Sequence, residues 1–128
     1  KRFIPQIIKG CLRNELIPTS EGKQLRDFCH VEDAVKAIIL AMLSDQNDGR
    51  VFNVGSGIPV SIRSVVEMIT RIIGKGKPQF GEILFRPDEN MELYANTDLI
   101  QHNLKWKPKI PFVEGIKEVI NWYQLHHE

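Results

Sequence analysis

At 128 residues with 42% hydrophobic content, the chain is long enough to bury one modest core and too short for several. Seventeen basic residues against sixteen acidic ones leave a net charge of +1, which argues against the broad positive field that draws proteins to nucleic acid or anionic membrane. Short apolar runs, a signal-free N-terminus and two cysteines without CxxC spacing argue against a transmembrane span, a secretory leader, a disulfide framework and a zinc knuckle. The expectation is a soluble, cytoplasmic protein with one domain over residues 1–128, in which Cys11 and Cys29 are buried free thiols. Because the sequence starts at Lys1 and not at Met, it reads as a piece of something longer.

In chain order, Phe3, Ile4, Ile7, Ile8, Cys11 and Leu12 recur at helical spacing, with Pro5 in the first turn and an end near Asn14. "LIPTSEGKQLRDFCHV" alternates apolar and polar residues around Glu21-Gly22, predicting two short extended segments joined by a turn. Val31, Ala34, Val35, Ile38, Ala41 and Met42 form the next stripe, and Ala37, Ile39 and Leu40 widen it to more than one face, which predicts an interior helix. "RVFNVG" reads as a buried strand running into Gly55-Ser56-Gly57. Ser61 then caps a helix carrying Ile62, Val65, Val66, Ile69 and Ile73, which Gly74 closes. "QFGEILFRP" reads as a further strand, Thr97 to Leu104 as a short helix, and Pro111 as the first turn of a last helix. The order is mixed α/β without repeats.

Most reactive chemistries find no support in these residues. Neither Gly55-Ser56-Gly57 nor Gly74-Lys75-Gly76 has the GxGxxG register that lets amides approach a pyrophosphate. Tyr94 and Tyr123 are followed at four residues by Asp98 and His127, so neither forms a Tyr-x-x-x-Lys proton-transfer pair. None of His30, His102, His126 and His127 has a second ligand at i+3 or i+4 on a predicted helix with carboxylate support, and no serine stands in a GxSxG elbow. The basic stretches "RIIGKGKP" and "KWKPK" read as solvated surface more readily than as a nucleic-acid path. Arg26 and Arg86 remain, each at the end of a predicted strand and next to acids. Two guanidinium forks converging on one spot would suit a diphosphate; ordinary ion pairs with the neighbouring acids are the alternative.

"EGKQLRDFCHVEDAVKAI", "FNVGSG" and "FRPDENMELYANTDLIQHNLKWKPKIPFVEGIKEVINWY" resemble, in order and spacing, the C-terminal half of the extended short-chain dehydrogenases/reductases. These are NAD(P)-dependent sugar-nucleotide epimerases, dehydratases and decarboxylases. The resemblance runs from about Phe3 to Tyr123, and its most specific parts are the RDF-x-HV-x-D and L-x-W-x-P elements. It implies a mixed α/β substrate-binding domain without its Rossmann half. That absent half would hold NAD or NADP, the catalytic tyrosine and lysine, and most contacts of a homodimer.

By the same resemblance, Arg26 and Arg86 grip the substrate diphosphate, and Glu89 receives ribose hydroxyls where the family often has Asp, with Asp88 the local alternative. The main chain of Ile17 to Thr19 lines the base pocket, although Thr19 and Ser20 replace the family's usual aromatic and glycine, and Asn96 replaces a common aspartate. His30 is expected as a hydrogen-bonded boundary residue, and Asp33 as a first-turn carboxylate facing its own helix amides. Asn53 and Ser56 are expected to tie the strand-to-helix turn, and Trp106, Trp122 and Phe112 to pack in the core. The expected ligand is a nucleotide-diphosphate sugar, and no catalytic, cofactor-binding or metal-binding residue is assigned to this chain. A non-catalytic nucleotide-sugar-binding or regulatory module is the alternative, and a nucleic-acid binder a weaker one.

Overall fold

The computed structural model describes residues 2–45 and 49–126, so His127 of the expected solvated tail lies outside the described residues. The elements are α1 (Phe3–Leu12), β1 (Leu16–Pro18), β2 (Leu25–Arg26), α2 (Val31–Leu43), β3 (Val60–Ser61), α3 (Ile62–Ile73), β4 (Lys77–Gln79), β5 (Glu92–Leu93), α4 (Asp98–Leu104) and α5 (Phe112–Leu125). Among the described residues no helix is long and apolar enough to cross a membrane.

Local chemistry accounts for the helix boundaries. Pro5 falls in the first turn of α1, where its missing amide donor is not needed. Two residues past the end of α1, Asn14 has a φ of 54° that turns the chain, and its Oδ1 accepts from the Gly76 amide. Ser61 accepts from the Ser64 amide at the start of α3, and Gly74 adopts the left-handed conformation at its end. Pro111 immediately precedes α5.

The principal core is formed by one face each of α1, α3 and α5 with β1: Ile7, Ile8, Cys11, Ile17, Val65, Val66, Ile69, Ile116 and Ile120. Gly10 is needed inside α1 because a Cβ there would come within 2.8 Å of the Ile17 side chain, so its absence lets β1 lie close against the helix. β1 pairs in parallel with β4, Leu16 opposite Lys77. β2 lies between antiparallel β3 and parallel β5. A smaller cluster of Ala37, Ile100 and Trp106 joins α2 to α4 and the segment after it.

Three expectations about elements need correction. Within α2 only Asp33 and Ala37 are buried, while Val31, Val35, Ile38, Ile39, Met42 and Leu43 are exposed, so among the described residues this is not an interior helix. "RVFNVG" forms no strand, and Val51 and Val54 are exposed: the ladders of both short sheets are made by other segments, β1 with β4 and β2 with β3 and β5. "QFGEILFRP" is extended only to Gln79; beyond it the chain loops across, held by the Ile83 amide donating to Thr19 O, so Arg86 does not end a strand. Trp106 is buried and its indole donates to Asp33 O, Phe112 packs against the core, but Trp122 is half exposed, stacked on His126. Cys11 is buried and Cys29 partly so.

Candidate functional site

Arg26 closes β2, and the strand's pairing on both edges fixes its backbone. Its Nη1 donates to Leu25 O at 2.8 Å and its Nη2 to Glu89 Oε1 at 3.0 Å. The pair is mostly buried, with side-chain exposures of 23% and 19%, and solvent screens it less than a surface pair. The partner is thus an acid 63 positions away, not the adjacent Asp27 that a local ion pair would use.

A cavity of about 410 Å³ opens beside this pair, within the size range of small-molecule sites. Thr19, Ser20, Gln24, Arg26, Arg86 and Glu89 supply most of its polar lining, and Phe3, Ile7, Ile62, Leu84 and Phe85 much of its apolar wall. Thr19, Arg26, Arg86 and Glu89 of the expected site therefore face one cavity, while the exposed Asp88 does not line it. Arg86 is exposed and makes no ion pair among the described residues. Thr19 is buried, its amide donating to Gln79 O and its carbonyl accepting from Ile83, which ties β1 to the loop carrying Arg86. A smaller cavity of about 220 Å³ between Phe28, Ile58, Pro108 and Phe112 offers no guanidinium.

Asp27 is the residue that sequence reasoning missed. Its carboxylate accepts from the amides of Ser56, Gly57 and Ala95 and from the Ser56 hydroxyl, at 2.6 to 3.1 Å. Burial raises its pKa, but these donors outweigh burial and hold the carboxyl below its ordinary value. A Cβ on Gly55 would come within 2.6 Å of Asp27 Oδ2, so a glycine there lets the turn close over the carboxylate. One side chain next to Arg26 thereby fastens the 55–57 turn and the strand-to-helix connection after β5. A carboxylate directly after a strand arginine was the available signal, but its partners lie 29 and 68 positions away.

Neighbouring residues of the motif are structural. His30 Nδ1 accepts from the Glu32 amide at the start of α2, which makes Nε2 the donor to Glu118 at 2.9 Å. Asp33 does not bond its own helix amides; it accepts from Lys109 and Ile110 at 3.0 and 2.9 Å and pins α2 to the segment preceding α5. Ser56 ties its turn, while Asn53 is exposed and lines a separate cavity with Arg26 and Tyr94. Burial and the nearby Asp33 and Asp27 charges push the Cys29 thiol up, which disfavours the nucleophilic thiolate. For a dinucleotide the fit is poor: in the Gly55-Ser56-Gly57 turn the Ser56 and Gly57 amides are already spent on Asp27.

The family model described as GDP-mannose 4,6 dehydratase matches residues 1–119. A probable GDP-L-fucose synthase 1 of Oryza sativa subsp. japonica is 34% identical over 111 residues, covering 85% of this chain and 32% of the relative. CDP-abequose synthase of Salmonella muenchen is 30% identical over 122 residues, covering 94% of this chain and 41% of the relative. Among solved structures, MoeE5 in complex with UDP-glucuronic acid and NAD superposes with a TM-score of 0.86 at 29% identity, over 98% of this chain and 42% of that one. UDP-glucose 4-epimerase of Thermotoga maritima, solved with UDP-glucose, has the same fold, with a TM-score of 0.89 at 24% identity over 99% of this chain and 40% of that one. The chain thus spans well under half the length of these relatives.

Proposed function

Since the chain belongs to the GDP-mannose 4,6-dehydratase family and corresponds to the C-terminal part of an extended short-chain dehydrogenase/reductase, we propose that it is the substrate-gripping domain of an NAD(P)-dependent nucleotide-sugar epimerase or dehydratase. The observation that carries this reading is the meeting of Arg26, Arg86 and Glu89 on one cavity from positions far apart in sequence. Two guanidinium groups supply bidentate donors for diphosphate oxygens. Glu89 is an acceptor for ribose hydroxyls, and the β1 segment through Thr19 forms the wall for the base. No hydride step is assigned to these residues, because the glycine turn is committed to Asp27 and neither tyrosine has a lysine partner at four residues. The cofactor belongs to the portion of the relatives' fold that this chain does not span.

The exposed apolar side of α2, together with Val51 and Val54, is the surface that portion covers. Phe52 lies between those valines and packs on the Ala37 cluster, so the segment and the helix present a joint face. Calorimetric titration of the protein with UDP, CDP, GDP and dTDP, repeated for Arg26→Ala and Arg86→Ala, tests the grip. Loss of a charged bidentate contact should weaken binding by about 1.5 to 3 kcal/mol. Unchanged affinity in both variants would remove the diphosphate assignment.

A further inference from the structure

Along the wall assigned to the base, Thr19 has its donors spent inside the fold. Its amide donates to Gln79 O at 3.0 Å and its hydroxyl to Ser20 O at 3.0 Å, while its carbonyl accepts from the Ile83 amide at 3.1 Å. Ser20, the next residue lining that cavity, is arranged differently. Its Oγ accepts twice, from the Gly22 amide at 3.2 Å and from Gln24 Nε2 at 3.3 Å. A hydroxyl ordinarily donates or accepts as its partner requires. Here both lone pairs are occupied, so the group can donate to a ligand but cannot accept from one. The connection between β1 and β2 that carries it is fixed on the start of α3: Gly22 O accepts from the Arg63 amide at 2.9 Å and Gln24 O from the Ile62 amide at 3.0 Å. Gly22, at a φ of 74°, allows that approach, since a Cβ there would come within 2.6 Å of Arg63 N. A donor on so constrained a backbone loses little freedom when a ligand takes it.

We propose that Ser20 is a specificity-determining residue, a fixed hydrogen-bond donor that selects a nucleobase presenting an exocyclic oxo group over one presenting an amino group there. The inference rests on the assignment of this cavity to a nucleoside diphosphate and adds which bases it takes. Uracil, thymine and guanine carry an oxo acceptor where cytosine and adenine carry an amino donor. Against an amino group the Ser20 O–H meets another donor, and neither group gains a partner. The ligand class is therefore a UDP-, dTDP- or GDP-linked sugar and not a CDP- or ADP-linked one. The preference depends on the Gln24 amide donating to Ser20. A reversed amide would take the Ser20 proton on its oxygen and free a lone pair, which inverts the choice of base.

The test is calorimetric titration of the protein and of Ser20→Ala with UDP and CDP, which share ribose and diphosphate and differ only along the pyrimidine edge. GDP and ADP give the corresponding contrast for purines, and the pair that binds more tightly is decisive. The oxo-bearing member should bind the unaltered protein about tenfold more tightly than its amino-bearing partner. Ser20→Ala should weaken the oxo-bearing member about fivefold and change the other by less than about twofold. Retained binding of the amino-bearing member, or of pyrophosphate, reports that the variant is folded. A Ser20 that only braces the β1–β2 connection would move both members together. Equal affinities, a preference for the amino base, or a parallel loss in Ser20→Ala would overturn the donor assignment. In those cases nucleotide binding that is lost in Arg26→Ala leaves the site itself standing; if neither pair binds the unaltered protein, the site assignment fails and the donor with it.

Discussion

Helices α2 and α3 have nearly the same length, 13 and 12 residues, and opposite relations between apolarity and burial. In α3, Val65, Val66 and Ile69 are fully buried, while Arg63 and Glu67 pair across one turn of the solvent side. In α2 the apolar residues run around the helix, yet Ile38 stays 57% and Met42 78% exposed. An amphipathic stripe specifies one surface, and α3 finds it in α1 and α5. A helix apolar on several sides asks for two surfaces, and the described residues supply α2 with one, the cluster at Ala37.

The comparison is broken most severely by Ile69→Ala in α3, which should lower unfolding free energy by about 3 kcal/mol in chemical denaturation, since it empties a site with no solvent exposure. Asp27→Asn should cost about 1 to 3 kcal/mol, because an amide cannot accept from all the donors that converge there. That variant also has a pH signature. The folded-state carboxyl lies below its ordinary value, so its stabilisation is fully present above the unfolded-state pKa, roughly pH 4. It is lost as pH falls through the lower folded-state value. Melting temperatures of the two proteins should therefore converge on acidification; a gap that is constant with pH would refute the charge-based account of Asp27. The smallest change is expected for Ile38→Lys on exposed α2, within about 0.5 kcal/mol for this chain. The same substitution should abolish association with the remainder of a family enzyme in a pull-down if that face is covered there, and a neutral result would detach α2 from the proposed docking surface.

Much of this molecule was legible in one dimension. Helix starts and ends could be read from Ser61, Gly74 and Pro111 because caps act within a few residues of the positions they stop. Strands were harder. "RVFNVG" has the composition of a buried strand, but a strand exists only where another chain segment pairs with it, and in both short sheets the pairing is made between other segments. Exposure of α2 was illegible for the same reason: apolarity states what a surface needs, not whether the fold provides it.

Within the site, the residue types and their order identified the family resemblance and singled out Arg26, Arg86, Glu89 and Thr19 without any coordinates, because donor geometry and motif spacing are properties of the chain itself. Partner choice was decided only by tertiary structure. Arg26 takes Glu89 and leaves Asp27 to the amides of two distant turns, since side chains of adjacent residues at a strand end point to opposite faces. Asp88, equal to Glu89 in charge and one position away, falls outside the cavity. Composition thus determined which groups could hold an anion, and packing across more than sixty positions of sequence determined which of them face one another.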